Sequence, residues 1–218
     1  MNRMRASLGQ AGILLLVSTA ALFADISFTG LPANTDRGTF NGFVSGTIDG
    51  VPFADLICDD WGHTTYVPSL DLDYNVSTFD SLQYARFLSP GGPTSGDIDN
   101  YRAAAILVQG LIDNPGLVAD YQYALWELFT PSTPYYPGAS MLLTHALDVV
   151  EHDDISGYAD LFSKLRIYTP AASSATNQEF LQIDPPAPVP EPGSVILLLT
   201  AFAFILVSQI RRRAPRAN

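Results

Sequence analysis

Cys58 is the single cysteine in 218 residues, and Asp59 and Asp60 follow it at once. A lone thiol cannot close an internal disulfide. It is a small buried hydrophobe, half of a disulfide between chains, or a reactive sulfur. The two carboxylates suit general acid/base work in a hydrolase only where their surroundings separate their pKa values. Neighbouring residues on a strand point to opposite faces, which argues against Asp59 and Asp60 acting as a pair.

Further along, Gln122, Ala124 and Trp126 fall in a run with helical apolar spacing. Positions 118, 122, 125, 126 and 129 share one side of a helix, so Gln122 lies among Val118, Leu125, Trp126 and Phe129. Such a wall would shield a reactive bond from water. It equally suits a glutamine bonded to a loop, with Trp126 as ordinary core.

Other polar groups are weaker candidates. Asp71-Leu-Asp73-Tyr-Asn75 opens like a calcium loop, but Val76 stands where the glycine belongs and Leu82 where the closing glutamate belongs. A solvated turn is expected there. Glu151-His152-Asp153-Asp154 reads as a charged helix end, and His63, His145 and His152 lack metal-site spacing. No metal or other cofactor is expected. Gly-x-Ser-x-Gly, His-Glu-x-x-His and phosphate-loop motifs are absent from the sequence.

The elements that position these residues follow from pattern. Ile26 to Gly30 reads as a first strand. Thr39 to Ile48 and Val51 to Cys58 flank Asp49-Gly50, a strong hairpin signal, with Pro52 at an edge. Cys58 therefore ends a strand. Apolar spacing predicts a short helix from Phe79 to Leu88, and a second over Tyr101 to Ile112 that opens near Asp99. A third is capped by Asn114, starts at Pro115 and runs to Phe129. A fourth spans Ala139 to Val150, and a short one follows from Ser156. Leu165 to Tyr168 and Glu179 to Ile183 read as closing strands. The fold class is α+β: short antiparallel strands flanking a block of three to five helices, with the helices to one side.

Cys58-Asp59-Asp60 at a strand end, with Gln122-Tyr123-Ala124-Leu125-Trp126 on a helix, resembles the thioester domains of bacterial surface adhesins. The resemblance implies an α+β domain in which Cys58 and Gln122 form an internal thioester that captures nucleophiles covalently. Ala124 and Trp126 complete the helical motif. Tyr121 replaces the family's threonine, and Asp59 takes a slot that is usually hydrophobic.

Both ends of the chain carry export patterns. Arg3 and Arg5 precede an apolar stretch from Ala11 to Phe23 with small residues at its end, the layout of a signal peptide over residues 1–24. Cleavage after Ala20 or Ala21 is the alternative. The exported domain is 25–184, followed by a Pro-rich linker, 185–192. Residues 193–210 form an uncharged run long enough for a single transmembrane helix, and 211–218 form a basic cytoplasmic tail.

Pro190-Glu191-Pro192, that helix and Arg211-Arg212-Arg213 in order resemble the PEP-CTERM sorting signal. The resemblance implies signal peptidase and an exosortase as processing partners. It also implies brief residence in the inner membrane and delivery to the envelope surface or extracellular matrix. All 22 acidic residues lie between Asp25 and Glu191 against five basic ones, a formal charge of −17 that disfavours nucleic acid and anionic lipid as partners. The sequence thus reads as a non-enzymatic exported protein with an adhesive or structural role. A thioester-bearing covalent adhesin is the first alternative, and a secreted hydrolase with acidic residues the second.

Overall fold

Asp49 and Gly50 turn the chain with φ of 50° and 77°, the double positive φ of a tight two-residue hairpin. The turn joins β4 (Val44–Ile48) to β5 (Val51–Cys58), with Ile48 opposite Val51. A computed structural model describes residues 23–31, 34–36, 39–152 and 155–183, the side chains of 34–36 and 39–41 excepted. The expected signal peptide, linker, sorting motif, transmembrane helix and basic tail lie outside the described residues, apart from Phe23 and Ala24. Those two open β1 (Phe23–Gly30), which begins two residues before the expected mature N-terminus at Asp25.

The described residues form a mixed α+β fold of four α-helices and antiparallel strands. The strands do more than flank the helices: they close a six-stranded barrel in the order β1-β4-β5-β8-β7-β6. Here β6 is Ser69–Thr78, β7 is Arg166–Pro170 and β8 is Phe180–Gln182. A separate two-stranded ribbon, β2 (Asn34–Asp36) with β3 (Thr39–Asn41), lies beside the second helix. Because β8 is three residues long, β5 pairs it only through Ile57 and Cys58. Pro52, with no N–H to give, sits on the stretch of β5 that β8 does not reach.

Alternation along the strands divides the apolar residues between two clusters. Ile26, Phe28, Leu56, Cys58, Tyr74, Tyr168 and Phe180 fill the barrel, with Phe28 and Phe180 ring centroids 4.8 Å apart. Ile57, Ile167 and Leu181 belong instead to the cluster formed by the helices.

The helices are inserted between β6 and β7. They are α1 (Ser95–Asp113), α2 (Val118–Phe129), α3 (Pro137–His152) and α4 (Ala159–Lys164). α1 starts earlier than Asp99: Thr94 caps it in a reciprocal box with Asp97. Asn114 does not cap α2; its side chain closes α1 on the Gly110 carbonyl at 2.9 Å, and Pro115 opens a 3-10 turn. Tyr121 through Trp126 are all buried, so α2 is packed on more than one side.

The expected strand from Thr39 to Ile48 is split between β3 and β4, which belong to different sheets, and two further expectations fail. Phe79 to Leu88 is a series of turns, not a helix, because tertiary acceptors take its backbone N–H groups. Arg86 N–H goes to Glu179 and Phe87 N–H to the Tyr101 hydroxyl. Asp71 to Asn75 is no solvated turn; it lies within β6, where it pairs with β1 and buries Tyr74.

Candidate functional site

β5 ends at Cys58 beside the barrel mouth, and α2 crosses it so that residues one helical turn apart, Gln122 and Trp126, face the strand end. Gln122 is buried and held at both ends of its carboxamide. Its Nε2 donates to the Cys58 carbonyl at 2.6 Å, and its Oε1 accepts from Gly42 N–H at 3.1 Å. Gly42 reaches that position with φ of 101°, a backbone that favours glycine. Trp126 packs on Trp61 with ring centroids 4.8 Å apart, and Trp61 on Tyr123 at 6.2 Å. Ala124 is fully buried on another side of α2, in the helical core.

Cys58, Gln122, Trp126 and Gly42 border one cavity of about 430 Å³, whose wall also includes His63, Gln178 and Phe180. The Cys58 side chain is buried, and the sequence holds no second cysteine to pair with it within the chain. Its sulfur contacts the backbone of Asp60, donating to the carbonyl at 3.2 Å and accepting from N–H at 3.3 Å. Burial pushes its pKa well up, and the neighbouring Asp59 charge adds to that. The hydrogen bond from the Asp60 backbone acts the other way, favouring the thiolate, as does the nearby Trp126 indole N–H.

Asp59 and Asp60, in the loop just past β5, go to different places. The Asp60 carboxylate accepts from Gly62 N–H at 3.0 Å and His63 Nδ1 at 3.0 Å, and pairs with Arg86. Arg86 also donates to the carbonyls of Asn177 and Ala175, and Gln178 Nε2 to that of Asp60 at 3.0 Å. The loop after Cys58 is thereby tied to the start of β8.

Asp59 is sealed at 0 % exposure, with neither oxygen bonded among the described residues. Burial holds its pKa well above the usual carboxylate range, and the nearby Glu179 and Asp60 charges push in the same direction. Glu179 is raised too by burial. It is the better anion of the two, because Tyr101 donates to it at 2.7 Å, Arg86 N–H at 2.7 Å, and Thr169 as well. Asp59 therefore carries the proton of this buried pair.

Among the described residues no group of three or more His, Cys, Asp or Glu side chains could hold a metal ion. His145 borders a smaller apolar cavity of about 220 Å³ between α1, α2 and α3, and His152 pairs with Asp148 at the end of α3. Sequence reasoning missed Gly42, His63, Arg86, Gln178 and Glu179. Arg86 was the detectable one, since a scarce basic residue inside the apolar run Tyr84-Ala-Arg-Phe-Leu calls for a buried acidic partner. Comparison with protein-family models, curated proteins and solved structures finds no match to this chain.

Proposed function

We propose that this is an exported envelope or matrix protein with an adhesive role, and that Cys58 and Gln122 form its point of covalent attachment as an internal thioester. The observation that carries the reading is the seating of the Gln122 carboxamide between the Cys58 carbonyl and Gly42 N–H, on a cavity that the Cys58 side also borders. The Cys58 sulfur attacks Gln122 Cδ, the Sγ–Cδ bond forms, and the Cδ–Nε2 bond breaks with loss of ammonia. Gly42 N–H is in place to stabilise the oxyanion on Oε1. The aromatic wall of Trp61 and Trp126 keeps water from the product. An incoming amine then displaces sulfur, becomes amide-linked to Gln122 and frees the thiol.

Export and sorting rest on the sequence: the basic and apolar N-terminus, Pro190-Glu191-Pro192, the uncharged run 193–210 and Arg211 to Arg213. Cleavage after Ala20 or Ala21 suits this reading better than cleavage after Ala24, because it leaves β1 whole. The acidic-hydrolase alternative has less to stand on, since Asp59 is sealed and Asp60 is committed to Arg86 and His63.

Methylamine treatment followed by peptide mapping tests the reading. The expected result is methylamide at Gln122, a freshly released thiol at Cys58, and neither in Cys58→Ala. Methylamide at Gln178, which borders the same cavity, would move the acyl group to that residue; no incorporation at all would overturn the thioester.

A further inference from the structure

A buried, protonated thiol attacks an amide carbon only if its proton is removed as the new bond forms. The wall that carries Cys58 and Gln122 also carries His63. His63 Nδ1 is engaged by the Asp60 carboxylate at 3.0 Å, which leaves Nε2 as the nitrogen that exchanges a proton. Asp60 is itself fixed by Gly62 N–H and Arg86, and its backbone holds the Cys58 sulfur from both sides. One residue thus positions both the thiol and the imidazole.

A separate observation points to an acceptor in this cavity. Trp126 is 3 % exposed and borders it, yet its Nε1–H has no acceptor among the described residues. A buried donor without a partner is rare in folded proteins and marks a place for one. A sulfur anion, or an acyl oxygen entering the cavity, supplies it.

We propose that Cys58, His63 and Asp60 form a nucleophile, proton-acceptor and positioning set. His63 takes the thiol proton when sulfur bonds to the acyl carbon and returns it when sulfur leaves. The proposal rests on the thioester reading for the identity of that carbon, Gln122 Cδ. On formation the proton passes from Sγ to His63 and on to the departing nitrogen, which leaves as ammonia. On capture an amine gives a proton to His63 as it attacks Cδ, and the released sulfur recovers it. The amine is neutral and small enough to enter a cavity of about 430 Å³, as the side-chain end of an unprotonated lysine is.

The test compares methylamine-driven release of the Cys58 thiol in the protein recovered from its producing cells and in its His63→Gln and His63→Ala variants. The His63 side chain is 41 % exposed, so both variants should fold, and a melting curve verifies it. General acid/base assistance contributes about 10²–10⁴-fold, and release should slow by that factor in both variants. Added imidazole should restore part of the rate in His63→Ala, a response that a purely structural histidine does not give. An unchanged rate in folded variants, or no response to imidazole, overturns the role of His63 while leaving the thioester intact. If the unaltered protein shows no thioester, the proposed function falls first, and alkylation of Cys58 by iodoacetamide then reads His63 alone. Slower alkylation in both variants, restored by imidazole in His63→Ala, supports the set, and equal alkylation rejects it.

Discussion

The side-chain Nε2 of Gln122 lies 2.6 Å from the main-chain carbonyl oxygen of Cys58, joining residues 64 positions apart. That bond fixes the end of β5 against the middle of α2. A change in how α2 packs is therefore passed to the main chain of Cys58.

Leu125 is fully buried at the centre of α2, one turn from Tyr121 and beside Trp126. Leu125→Ala should cost about 2–5 kcal/mol through lost burial and an unfilled cavity. Chemical denaturation with unchanged slope and a lowered midpoint is the expected record. A midpoint that stays put would mean α2 is not central to the fold.

Gly46 lies in β4 where a Cβ would run into the backbone carbonyl of Ser27 on β1. A backbone neighbour cannot swing aside as a side chain can. Gly46→Ala should therefore cost at least the roughly 1–3 kcal/mol typical of overpacking, and thermal melting reads it. An equally stable variant would contradict the close β1–β4 approach.

The buried Asp59 gives a pH signature. Its folded pKa is raised well above the ordinary 3.8, chiefly by burial and then by Glu179. A group raised in this way contributes stability that is fully present below its unfolded pKa and lost as pH rises through the folded value. Asp59→Asn cannot ionise and escapes that loss. The variant should gain in melting temperature relative to the unaltered protein as pH goes from 4 upward. A difference that shrinks as pH rises would show Asp59 to be stabilised as an anion.

The hairpin at Asp49-Gly50 and the positions of α1 to α4 were legible because their signals are local: two turn residues that accept positive φ, and apolar spacing of 3.6. Barrel closure was not, since it depends on the short β8 meeting β5 and β7 across the whole helical insertion. Phe79 to Leu88 carried helical spacing, yet Glu179 and Tyr101 claim the N–H groups of Arg86 and Phe87, and no local pattern encodes partners so far away. The alternation of Leu72, Tyr74 and Val76 does encode β6, although the aspartates between them also match the opening of a calcium loop. At the site, the Cys58 and Gln122 pair was visible as a motif. Gly42 and His63 were invisible because folding alone brings them to Gln122 and Asp60, whereas Arg86 left a trace as a lone basic residue in an apolar run.

Sorting gives a prediction of its own. Under the proposed sorting the tail is removed during delivery, so protein recovered from the cell surface should contain no residues beyond the Pro190-Glu191-Pro192 region. Peptide mapping that recovers Arg211 to Arg213 at the surface would contradict processing and leave 193–210 as a permanent anchor.

Intact mass of freshly prepared, unhydrolysed protein tests the central claim most directly. The account predicts a chain one ammonia lighter than its processed sequence, with no thiol titratable before methylamine and one after, and a Cys58→Ala variant that keeps its full mass. Full mass in the unaltered protein, with a Cys58 thiol that titrates at once on unfolding and no methylamine uptake, would contradict it and leave Cys58 as a small buried side chain at the mouth of the barrel.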